Sequence, residues 1–163
     1  LLPFSIAHSM LLRALGNPYA YRGVAATREE LLAAVLICSR TRAENRAALF
    51  AGGQRAGALL RWSWRWRKMS LATADASFRQ YVDDHTRFAP HHELAEAPDA
   101  HEPAAPFEFH LHRHLCVNEG MGDEEAWNCG MGYARHLFDC WGESQGGKSL
   151  MSEHDQRMQA LHK

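Results

Sequence analysis

No stretch of about 18 apolar residues runs unbroken through this 163-residue chain, so the sequence offers no membrane-spanning helix. An overall excess of one sign of charge is missing too, since the formal net charge is −1 at pH 7. Cysteines are few. Cys38, Cys116, Cys129 and Cys140 form no C-x-x-C pair and sit among apolar or aromatic neighbours, which favours buried free thiols over disulfides. G-x-S-x-G is absent, as is any local Cys–His signature, and nothing else suggests a nucleophilic catalytic set. No series of alternating strand segments appears, and no internal repeat.

What is present is helical patterning, and the fold expected is all-α: a compact bundle of about six or seven helices. The start, LLPFSIAHSMLLRALG, is apolar but interrupted by His8 and Arg13, and reads as a folded helix rather than a secretion signal. Pro3 suits its first turn; Phe4, Ala7, Leu11, Ala14 and Leu15 recur at helical spacing until Gly16-Asn17-Pro18 stops it. Thr27-Arg-Glu-Glu30 and Thr41-Arg-Ala-Glu44 are capping boxes that open two further helices, the second ending at Gly52-Gly53. Phe78, Tyr81 and Val82 mark another. Residues 107–120 form one more pattern. Trp127, Met131, Ala134, Phe138 and Trp141 trace a single amphipathic helix after Asp123, and Ser152-Glu-His-Asp155 caps a last one.

Composition divides the chain. Residues 1–89 hold 13 Lys/Arg and 6 Asp/Glu, a balance of +7, whereas residues 90–163 hold 5 and 13, a balance of −8. Between the two, residues 90–106 (PHHELAEAPDAHEPAAP) read as an exposed proline-rich, acidic connection. The expected organisation is a basic helical half (1–89), this connection, and an acidic helical half (107–163) within one domain.

GESQGGKS (142–149) satisfies the phosphate-loop pattern G-x-x-x-x-G-K-[ST]. That loop works between a buried strand and a helix N-terminus, and this one follows a long amphipathic helix. Gly146-Gly147 reads more simply as a helix stop. His110, His112 and His114 lie near Cys116, with His110 and His114 at i,i+4, yet no matching ligand pair follows, and an amphipathic helix with polar histidines explains the segment. The expected chemistry is accordingly non-catalytic, with no metal and no cofactor. Gly130 and Gly132 read as positions where a neighbour approaches closely.

Arg61-Trp-Ser-Trp-Arg-Trp-Arg-Lys68 is the most unusual segment. Three readings fit it: a core-facing Trp stripe with a solvated basic edge, a protein interface, or a single-strand nucleic-acid surface. Arg61, Trp62, Trp64, Arg65 and Trp66 are the candidate partner-binding residues, chosen for their density of interface-type side chains. Nucleic acid ranks below a protein partner.

Two segments resemble a known group. LLPFSIAHSMLLRALGNPYA with TREELLAAVLICSRT, and then PFEFHLHRHLCVNEGMGDEEAWNCGMGYARHLFDCWGESQGGKSLMSEHDQ, are similar to small proteins encoded in tailed-phage and prophage tail-gene clusters. Glu125, Ala126, Trp127, Trp141 and Glu143 occupy the marked positions of the second pattern, and together the similar stretches cover about two-thirds of the chain. The resemblance implies a tail-assembly accessory protein, chaperone-like, that binds another tail protein such as the tape-measure protein in the host cytoplasm. A structural adaptor or minor tail component retained in the virion is the alternative, and a nucleic-acid-binding accessory protein ranks third.

Overall fold

The computed structural model describes residues 1–21, 24–50, 70–87 and 105–146. Seven α-helices and one short 3-10 turn occupy them: α1 (Ile6–Ala14), the turn Pro18–Ala20, α2 (Arg28–Cys38), α3 (Arg42–Phe50), α4 (Leu71–Thr86), α5 (Phe107–Val117), α6 (Asp123–Asn128) and α7 (Met131–Ser144). Among the described residues there is no strand, only an isolated bridge between Ser5 and Gly130. The fold is all-α. The Gly52-Gly53 stop, the connection after Arg87 and the helix opening at Ser152 lie outside the described residues, apart from Ala105 and Pro106.

Both capping boxes form as their sequences require. The Thr27 hydroxyl accepts from the Glu30 N–H, and Glu30 returns a carboxylate to the Thr27 N–H at 2.7 Å. Thr41 and Glu44 repeat the exchange. In each box the backbone and hydroxyl donors hold the glutamate carboxyl below its ordinary range.

α1 starts later than its pattern suggests. Ser5 is the N-cap, and the N3 partner of its box is His8 in place of the usual Glu or Gln. The helix ends at Ala14, so Ala14 and Leu15 are exposed, while Ile6, Ala7, His8 and Leu12 face inward. Gly16 then takes a left-handed φ of 62°, and the Asn17 side chain caps the 3-10 turn by accepting from the Tyr19 N–H at 3.1 Å.

A second correction concerns residues 123–144. The stripe Trp127–Trp141 does not lie on one helix; Cys129 and Gly130 are extended and separate α6 from α7. At that break the Ile6 N–H donates to the Cys129 carbonyl at 3.1 Å and the Met131 N–H to the Phe4 carbonyl at 2.8 Å. Backbone groups freed by ending one helix are thus satisfied by the entry to another.

α1 is the shared wall between two hydrophobic clusters, touching α2 and the 3-10 turn on one side and α5, α6 and α7 on the other. The first cluster includes Phe4, Leu12, Tyr19, Leu31, Val35, Cys38 and Phe78. The second is built from Ile6, Ala7, Leu111, Leu115, Ala126, Trp127 and Ala134. Opposite charges also join the two ends of the chain. Arg13 reaches the buried Glu108 at 3.1 Å, and Arg42 reaches Asp123 and Glu124 at 2.8 and 3.0 Å. The Arg42 guanidinium also lies 5.1 Å from the centre of the Trp127 ring.

Gly132 is where α4 meets α7. A Cβ built there would stand 2.8 Å from the His85 carbonyl oxygen and 3.0 Å from that of Arg87. The close approach expected at Gly132 is therefore found; at Gly130 nothing lies within 4 Å, and that expectation fails.

Candidate functional site

The Trp/Arg segment, with Arg61, Trp62, Trp64, Arg65 and Trp66, lies outside the described residues. Within them, the concave surface that stands out is a cleft of about 700 Å³ formed by the amino-terminal strand-like entry, the 3-10 turn and the carboxy-terminal half of α4. Phe4, Tyr19 and Val82 give it an apolar floor, and Tyr21, Asp83 and Arg87 line its more exposed edge.

The floor is fixed by one small network. Asp75 on α4 accepts from the Tyr19 hydroxyl at 2.6 Å and from Arg79 Nε at 2.9 Å. The Arg79 guanidinium also donates to the Val24 carbonyl at 2.6 Å and sits 5.0 Å from the centre of the Tyr19 ring. Two side chains one helical turn apart therefore clamp the 3-10 turn to α4. Arg79 and then Tyr19 hold the Asp75 carboxyl below the usual range by hydrogen bonding. Burial, followed by the Asp75 contact, pushes the Tyr19 phenol well above its usual value. Tyr19 packs edge-on against Phe78 with ring centres 4.6 Å apart.

Arg79 is spent on this scaffold. Arg87 is not: it is largely exposed, with Asp84 only at 3.6 Å. An exposed cation and an exposed tyrosine beside a buried aromatic floor suit an extended or helical peptide segment, in the way interface anchors work.

The remaining sequence features sit as follows. GESQGGKS begins inside α7: Gly142, Glu143 and Ser144 are its last turn, and Gly146 at φ 80° ends it, as a helix stop should. Gly147, Lys148 and Ser149 lie outside the described residues. All four cysteines are free, yet only Cys38 is buried; Cys116 and Cys129 are half-buried and Cys140 is exposed. Burial pushes the Cys38 thiol up to about 12, and raises those of Cys129 and Cys116, with Asp123 adding to the last. Cys116 does touch His112 Nε2 at 3.5 Å, but that same nitrogen already faces Asp123 at 3.1 Å. A raised thiol beside an occupied nitrogen is a poor nucleophile. His112 instead stacks on Trp127 with ring centres 4.2 Å apart. Among the described residues no three or more His, Cys, Asp or Glu side chains stand grouped around a metal position.

Tyr19, Tyr21 and Arg87 were not singled out by sequence. Asp75 and Arg79 pair at i,i+4, but Tyr19 lies 56 positions from Asp75, and no local pattern joins them. No family model, no curated protein and no solved structure matches this chain.

Proposed function

We propose that this protein is a non-catalytic accessory factor of tailed-phage assembly that holds a segment of another tail protein, the tape-measure protein being the leading candidate. The phage assignment rests on the resemblance of its two end segments. The binding role is supported by the cleft: an aromatic floor clamped by Asp75 and Arg79, with Tyr21 and Arg87 at the open edge. A short helix could lay its apolar side on Phe4, Tyr19 and Val82 while an acidic side chain meets Arg87. The Trp62/Trp64/Trp66 segment is the second contact surface in this proposal, with Arg61 and Arg65 beside it.

The test is capture. The protein is expressed with a cleavable tag in cells producing its phage tail, recovered, treated with nuclease and analysed by mass spectrometry. A stoichiometric tail protein is expected. It should be lost with a Tyr21→Ala/Arg87→Glu variant that keeps the wild-type helical signal. Partner-free protein would reject the proposal, and partners released by nuclease would move nucleic acid to the front.

A further inference from the structure

α4 turns a stripe of alternating charge toward the cleft. Arg79, Asp83 and Arg87 follow one another a helical turn apart, with Val82 and Thr86 beside them, and all five line the cleft. Arg87 stands just past the end of α4, but its N–H still donates to the Asp83 carbonyl at 3.0 Å, so the last spacing is helical as well.

The three charges are not equivalent. Arg79 is occupied by Asp75 and the Val24 carbonyl. The Asp83 carboxylate makes no hydrogen bond or ion pair among the described residues and acts on Arg79 only through space. The Arg87 side chain is 79% exposed, with Asp84 no nearer than 3.6 Å. An incoming segment therefore meets one negative and one positive group, four residues apart, at the rim of the apolar floor. Val24, which Arg79 holds by its carbonyl, is 46% exposed and adds apolar surface at the other end of the stripe.

Opposite charges at this spacing select both the sequence and the direction of a helix laid along α4. A helix running antiparallel to α4 passes Arg87 first and Asp83 one turn later. It must then carry an acidic residue four positions before a basic one. That order also stabilises a helix by itself, because the acid stands nearer the N-terminus. A parallel helix would need the reverse order, which is the weaker one.

We propose that the cleft takes an amphipathic helix antiparallel to α4, with Glu or Asp opposite Arg87, Lys or Arg four residues later opposite Asp83, and its apolar stripe on Phe4, Tyr19 and Val82. This rests on the reading of the cleft as a peptide site and adds the partner's charge order and direction. Exposed pairs of this kind contribute little affinity and act mainly on register and choice of partner.

The probes are two fluorescent Leu/Ala helices of about 18 residues, each held helical by a hydrocarbon staple on the far face. They have one composition and differ only in order, Glu-x-x-x-Lys against Lys-x-x-x-Glu. Titrated with the full-length protein at low salt and followed by anisotropy, the Glu-first peptide should bind about fivefold or more tighter, as two pairs turn from repulsion to attraction. Asp83→Lys/Arg87→Glu should reverse the preference. Should that variant lose its helical signal, the near-isosteric Asp83→Asn/Arg87→Gln pair should abolish it instead. Equal binding of the two peptides, a Lys-first preference in the wild-type protein, or a Glu-first preference that survives these substitutions would overturn the proposal while sparing the cleft as a peptide site. Failure of either peptide to bind at all would overturn both.

Discussion

His8 and His114 are both buried imidazoles, 1% and 3% exposed, in the two clusters that share α1. His8 uses both nitrogens: Nδ1 accepts from the Ser5 N–H at 3.1 Å, so Nε2 carries the proton and donates to the Arg40 carbonyl at 2.7 Å. The other buried polar side chains around it are likewise partnered. Asn17 donates to the Glu30 carbonyl and Asn45 to that of Ile37, each at 2.9 Å. In the second cluster Glu108, His110 and His114 each keep one atom without a hydrogen bond, although that of His114 stands 3.4 Å from Glu119 Oε1. A buried histidine is thus no single kind of feature. The first fastens the end of α2 to the start of α1, whereas the second reaches only the side chains of Asn118 and Glu119 at the end of its own helix.

The contrast is most sharply broken at His8. His8→Ala strands the Ser5 N–H and the Arg40 carbonyl and opens a cavity. The expected loss is about 2–5 kcal/mol, measured by urea denaturation. Acid should report the same group. Burial lowers the His8 pKa from 6.5, so the unfolded chain takes up a proton there before the folded one does. Its contribution is therefore complete above pH 6.5 and is lost as pH falls from there toward the lowered value. Carboxylates held low, such as Asp75 and Asp123, withdraw theirs only at more acidic pH. The variant should flatten the stability profile just below pH 6.5; an unchanged slope there would show that His8 does not carry it.

A smaller effect is expected where the regions abut. Gly132→Ala forces a methyl against the backbone carbonyls of His85 and Arg87, which cannot rotate away as a side chain would. Overpacking of this kind costs about 1–3 kcal/mol, offset in part by alanine's better helix propensity. A stabilised Gly132→Ala in thermal melts would mean that α4 and α7 are not held so close.

Much of the fold was legible because its cues are local. The boxes at Thr27 and Thr41, the stop at Gly16 and the amphipathic runs of α2, α4 and α5 each depend on residues within four positions. The break between α6 and α7 was not, since Cys129 and Gly130 are extended to meet Phe4 and Ile6, more than a hundred residues away in sequence. Ser5-x-x-His8 escaped for a subtler reason: histidine fills a box position that glutamate normally marks. Of the cleft, Asp75–Arg79 could be seen as a helical pair, but its attachment to Tyr19 and Val24 is tertiary. The missing hydrogen bond at one nitrogen of His110 and of His114 is also invisible to a pattern, because it depends on which neighbours fail to offer one.

The comparison between the two clusters is tested most directly by urea denaturation of His8→Ala beside His114→Ala, each in the full chain. The larger loss is predicted for His8→Ala, which strands two backbone groups, the Ser5 N–H and the Arg40 carbonyl, whereas His114 contacts only the side chains of Asn118 and Glu119. An equal or larger loss for His114→Ala would contradict it.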